Sequence, residues 1–121
     1  MKIEFHLVLE GEINTASIQT IELRENMFDD VRNNIKIATL RNGKRDYELG
    51  STILYGNEHG NTVFIDVNKI SYMRLKDIID ADAQQEGYEK RDDLINIMKD
   101  IYKDITDESI VTQVFFKYTN G

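Results

Sequence analysis

The feature that most narrows the folds open to this chain is the alternation of apolar and polar side chains with a period of two. Ile3, Phe5, Leu7 and Leu9 alternate with Glu4, His6, Val8 and Glu10, and the pattern returns in Thr62 to Val67 and in Ser109 to Tyr118. Successive strand side chains point to opposite faces, so this period predicts half-buried strands rather than amphipathic helices. In the last of them Ile110, Thr112, Val114, Phe116 and Tyr118 are expected to share one side.

Between these stretches the punctuation is local. Gly11 to Asn14 reads as a turn and Ala16 to Leu23 as a returning strand with Ile18 and Ile21 in the core. Asn26 can cap a short helix, ending near Asn34, in which Met27, Val31 and Ile35 recur every four residues. Ile35 to Arg41 reads as a strand closed by Asn42-Gly43, a dipeptide that tolerates positive φ. Ser51 to Tyr55 pairs with Thr62 to Val67 across a Gly-flanked loop. Asp80 is placed as the N-cap of a helix through Glu86, with Gly87 as its left-handed terminator. Leu94, Met98 and Ile101, with Ile97 and Tyr102 beside them, form the apolar stripe of a second helix to about Lys103. The sum is one α+β domain of about six strands and three short helices, its antiparallel or mixed sheet curled toward a barrel.

Bulk properties exclude several classes. At 121 residues the chain suits one core. No apolar run approaches the roughly 20 residues that span a bilayer, so no membrane association is expected and the cytoplasm is the default compartment. Cysteine is absent, which removes disulfides, thiolate metal sites and a cysteine nucleophile. His6 and His59 are too isolated for metal-ligand spacing, and no cofactor or metal is expected. The net charge of −7 resides in residues 77 to 108, with eleven acids against four bases. By contrast, Arg32, Lys36, Arg41, Lys44 and Arg45 follow one another with no acid between, a local patch suited to an anionic ligand.

Lys36-Ile37-Ala38-Thr39-Leu40-Arg41 resembles the Lys-x-x-Thr-x-Arg motif of the ASCH superfamily, small domains with a PUA-like β-barrel. Gly50-Ser51-Thr52-Ile53-Leu54 is similar to that family's Gly-Asp strand start, and Ile78 to Tyr88 resembles its acidic helix followed by Glu-Gly-aromatic. The resemblance covers residues 24–121, and the extra hairpin of residues 1–22 has no counterpart in the shortest members. The hairpin is expected to cover the pocket, extend the sheet or make an oligomer contact. Where the family usually has Gly and a basic residue before the lysine, this chain has Asn34 and Ile35.

The resemblance is strongest to the small bacterial N(4)-acetylcytidine amidohydrolases, and implies Lys36, Thr39 and Glu86 as catalytic residues of a metal-independent amidohydrolase. Arg41, Lys44 and Tyr88 are then the expected substrate-binding residues, and the ligand a nucleoside-like small molecule. The alternative is a non-catalytic RNA-binding or ribonuclease-like module that holds single-stranded RNA through the basic patch. Two assignments of roles stay open: Lys36 activating Thr39 while Glu86 protonates the leaving amine, or Glu86 as base with Lys36 and Arg41 stabilising the oxyanion. Strand alternation would put Lys36 on the face opposite Thr39 and Arg41, so Lys36 must reach round from the strand mouth.

Overall fold

In the computed structural model the backbone is described for residues 2–9 and 12–119, and the side chains for residues 18–119. Six strands, β1 (Lys2–Leu9), β2 (Glu12–Glu22), β3 (Ala38–Asn42), β4 (Gly50–Tyr55), β5 (Thr62–Arg74) and β6 (Ile110–Tyr118), form one mixed sheet in the order β1-β2-β4-β5-β6-β3. β2 and β4 run parallel and the other pairs antiparallel. Three helices, α1 (Phe28–Arg32), α2 (Asp80–Gln85) and α3 (Arg91–Ile101), complete the α+β fold.

The sheet is curled, and one side chain shows how far. Arg41 on the edge strand β3 donates from Nη2 to the main-chain oxygen of Glu22, the last residue of β2. Those strands stand four places apart in the sheet order, so the bond spans the curl from β3 to β2. Two apolar clusters result. Ile21, Leu54, Ile65 and Phe116 belong to the one inside the curl, while Leu40, Ile78, Leu94 and Val111 belong to the one under α2 and α3.

Several expectations shift for identifiable reasons. β2 begins at Glu12, so residues 12–14 are strand rather than turn; Ile21 is buried and Ile18 only half-buried. Asn26 lies inside a 3-10 turn, Glu25–Met27, instead of capping a helix, and α1 buries Phe28 and Val31 while Ile35 is exposed. β3 starts at Ala38, because Lys36 and Ile37 are spent on the corner that leads into it. β5 runs on to Arg74 through a register shift between Val67 and Lys69, a bulge that breaks the alternation on which the shorter strand was read. β6 is an inner strand between β5 and β3, so Val111, Thr112, Gln113 and Val114 are all buried and no single face carries the core. Asp80 is the first residue of α2, and its carboxylate accepts instead from the main-chain N–H of Arg91 at 2.7 Å, at the start of α3. The side-chain alternation expected in β1, the setting of His6 and the expected turn residue Gly11 lie outside the described residues.

The loop after β4 depends on Glu25. Its carboxylate accepts from the His59 main-chain N–H at 2.6 Å and from Asn61 Nδ2, with His59 Nδ1 3.4 Å away. Gly56 leaves room for this: a Cβ there would lie 1.9 Å from Glu25 Cγ.

Candidate functional site

Two backbone corners bring the site together. At the first, α2 ends with the N–H of Tyr88 bonded to the Ala83 oxygen at 2.9 Å and that of Gly87 to the Gln84 oxygen at 3.1 Å. This is the Schellman arrangement, and it needs the left-handed residue that Gly87 supplies at φ 96°. It leaves the carbonyl of Glu86 free of the helix and sets Glu86 and Tyr88 on either side of the glycine. At the second corner, α1 ends and Asn34 takes φ 58°, the conformation in which Asn most readily replaces Gly. Asn34 thus accommodates the departure from the family motif. The chain then turns so that Ile37 N–H donates to Gln85 O and Ile37 O accepts from Phe116 N–H, each at 2.9 Å. Lys36 is thereby held against the end of α2.

Lys36 Nζ donates to the main-chain oxygen of Glu86 at 3.0 Å and stands 3.6 Å from its Oε1. Gln113 Nε2 donates to Glu86 Oε2 at 3.3 Å from β6. Lys36, Glu86 and Gln113 are each 3% exposed or less. Burial pushes the Lys36 ammonium below the ordinary lysine range, partly offset by the charge of Glu86. Burial likewise raises Glu86, partly offset by Lys36 and then by the Gln113 hydrogen bond. Burial thus favours the neutral form of each, and their pairing opposes it.

Beside it, Thr39 Oγ1 accepts from Arg41 Nη1 at 2.7 Å, and that nitrogen also donates to Leu40 O at 3.0 Å. Thr39 and Arg41 share a strand face as expected. Lys36 escapes the alternation because it precedes β3, and it lines the same cleft as Thr39, Arg41 and Glu86. Among the described residues no hydrogen bond joins Thr39 to Lys36 or Glu86. The cleft encloses about 490 Å³ and takes its lining from both apolar clusters. Tyr88 lines it, its hydroxyl pKa raised by burial and then by the charge of Glu86.

Lys44 is not brought to this cleft; its ammonium stands 5.3 Å from the ring centroid of Tyr72, and Arg45 lines the cleft instead. Gln113 was missed by sequence reasoning, since an amide between strand residues carries no local signal beyond being polar among Val111, Val114 and Phe115. Arg24, Tyr47, Tyr55 and Tyr102 also line the cleft. Among the described residues no group of three or more His, Asp or Glu could hold a metal ion, and no helix is long and apolar enough to cross a membrane.

The same fold is found in solved structures. An ASCH domain from Lactobacillus crispatus JV V101 superposes with a TM-score of 0.66 at 10% identity, over 83% of this chain and 79% of that one. Protein EF3133 of Enterococcus faecalis V583, assigned to the family DUF984, gives 0.67 at 14% identity over 78% and 67%. The hypothetical protein PH0355 gives 0.65 at 13% identity over 84% and 98%. No family model and no curated protein matches the sequence. The chain therefore has the fold of an ASCH domain, at sequence identities that carry the architecture and nothing about substrate.

Proposed function

We propose that the cleft binds a modified nucleoside or a similar small heterocyclic amide and hydrolyses its N-acyl group, with Lys36, Thr39 and Glu86 as the catalytic residues. The observation that carries this reading is the buried Lys36–Glu86 pair at a cleft wall beside a hydroxyl held by arginine. Structural ion pairs are normally exposed, because desolvating two charges costs more than their attraction returns unless something else uses them.

The geometry favours one of the two assignments. Lys36 already donates to a carbonyl and faces a carboxylate, contacts that favour its ammonium form and oppose a role as base. Glu86, whose pKa burial raises, is the better proton acceptor. Glu86 takes the proton of Thr39, or of a water beside it, as the new bond to the acyl carbon forms. Lys36 and Arg41 stabilise the charge on the carbonyl oxygen, and Glu86 returns the proton to the amine as the C–N bond breaks. If Thr39 has carried the acyl group, water releases it as the acid. Arg41 holds the hydroxyl oxygen in place throughout, and its Nη1–Oγ1 bond favours the alkoxide.

The RNA-binding alternative draws less support. Of its five bases, Arg32 pairs with Asp29 at 3.1 Å, Lys36 is buried, Arg41 is bonded inside the curl and Lys44 lies over Tyr72. Only Arg32, Lys44 and Arg45 of the five are left exposed to a phosphate backbone, and Arg32 already has Asp29 beside it.

The test is acetate release from N(4)-acetylcytidine by the wild type beside Lys36→Ala, Thr39→Ala and Glu86→Gln, with circular dichroism reporting the fold of each. Turnover falling by about 10²-fold or more in folded Glu86→Gln is expected for loss of a general base. A wild type without turnover on this or related N-acyl compounds would remove the hydrolase reading.

A further inference from the structure

The apolar stripe of α3 divides in the structure. Leu94, Ile95 and Met98 are buried, whereas Ile97 is 36% and Ile101 47% exposed. Ile97 and Ile101 are four apart, hence neighbours on one helix face, and both open into the same cleft as Lys36 and Glu86. Met98 and Tyr102 extend the surface, and Met is the side chain that adapts most readily to varied apolar shapes. Toward the other apolar cluster the lining is of another character, with Tyr47 packed against that cluster and Arg24 and Tyr55 next in sequence to its Leu23 and Leu54. A polar heterocycle and its sugar suit the arginine and tyrosine side, through stacking and hydrogen bonds. With the amide carbonyl held at Lys36 and Glu86, the substituent left to meet α3 is the acyl group. From Leu94 to Ile101 the helix advances by about 10 Å, far beyond what an acetyl methyl covers.

We propose that Ile97 and Ile101 are specificity residues that seat an apolar acyl chain, so that the preferred substrates are N-acyl amides with chains longer than acetyl. This rests on the amidohydrolase reading for the orientation of the ligand. The isoleucines are exposed in the free protein because the ligand covers them in the complex. Four methylenes fully buried there would favour a hexanoyl over an acetyl compound by up to about two-hundred-fold.

The experiment compares N(4)-acetylcytidine with N(4)-hexanoylcytidine on the wild type and on Ile97→Ser/Ile101→Ser, two exposed positions whose change spares the core. Turnover gives kcat/KM, and calorimetry gives Kd for any compound that is bound without turnover. The expected result is a hexanoyl preference of at least about tenfold, carried by KM or Kd and reduced several-fold in the double variant. Hexanoyl-selective binding that the variant loses, with no turnover of either compound, would uphold the apolar seat and sink the hydrolase reading alone. Turnover of the acetyl compound with no chain-length preference, or with one that the variant retains, would overturn the seat and leave the hydrolase reading standing. Absence of binding by both compounds would overturn both. A wild type whose sedimentation shows a dimer that the variant abolishes while ligand selectivity stays put would overturn the seat alone, since a second copy would then be what covers the isoleucines.

Discussion

Two ion-pair regions of this molecule use the same chemistry to different ends. At the end of β5 and the start of β6, Glu108 accepts from Arg74 at 2.9 Å and from Lys76 at 2.7 Å, and all three side chains are about half exposed. At the cleft, Lys36 and Glu86 stand 3.6 Å apart, both almost wholly buried. The shorter contacts are the weaker ones, because charges at the surface are already solvated and their pairing only exchanges one favourable environment for another. In the cleft neither charge has water to fall back on, so each depends on the other and on the Glu86 carbonyl and the Gln113 amide. Proximity alone ranks the two regions in the wrong order; burial ranks them correctly.

The largest effect that can break this comparison is removal of one buried partner. Lys36→Met leaves an unpaired carboxyl beside Gln113, and a loss of about 3 to 5 kcal/mol in urea unfolding is expected. Lys36→Met with Glu86→Met should recover much of that loss, since two apolar side chains of similar volume need no partner. Additive losses in the double variant would mean that the two side chains are not coupled, and the contrast with Glu108 would collapse.

The pH dependence sharpens the same contrast. Glu86 has a raised pKa, so its contribution to stability is complete below the unfolded value near 4.3 and is lost as pH rises through the folded value. Lys36 has a lowered one, so its contribution is complete above about 10.4 and is lost as pH falls through the folded value. Each shift moves toward the other, so the range of pH in which both groups are charged is narrowed. Activity that needs a Glu86 carboxylate and a Lys36 ammonium should therefore be bell-shaped with both limbs drawn inward, each a property of the pair. Gln113→Leu removes a hydrogen bond that favours the carboxylate, and the acid limb of kcat/KM should move to higher pH. An unmoved limb would take Glu86 out of the role of base.

Much of the fold could be read from the chain, and the limits of that reading are physical. The Glu86-Gly87 corner was legible because a left-handed helix terminus demands glycine, and Lys36, Thr39 and Arg41 because a six-residue motif carries them. The far half of β5 was not, since the bulge after Val67 destroys the period of two. The exposure of Ile97 and Ile101 was not legible, because helical periodicity marks an apolar face without saying what covers it. Lys44 and Arg45 are adjacent and equally charged, and only the path of the chain after Gly43 decides that Arg45 meets the cleft. That path rests on Thr112 Oγ1, which donates to Gly43 O and accepts from Arg45 N–H, a tertiary contact with no trace in local sequence.

The smallest effect tests the other side of the comparison. Glu108→Ala removes both surface pairs together, and the expected cost is about 1 kcal/mol or less despite the shorter distances. It should also shrink as sodium chloride is raised, because charges this exposed are screened within about a Debye length, whereas the loss in Lys36→Met should hardly change with salt. Urea titrations of both variants at low and high salt would measure this. A Glu108→Ala loss equal to that of Lys36→Met, and equally indifferent to salt, would show that the network of three surface charges is as tightly coupled as the buried pair. The inference from burial to function at Lys36 and Glu86 would then lose its basis, since a purely structural pair would behave the same way.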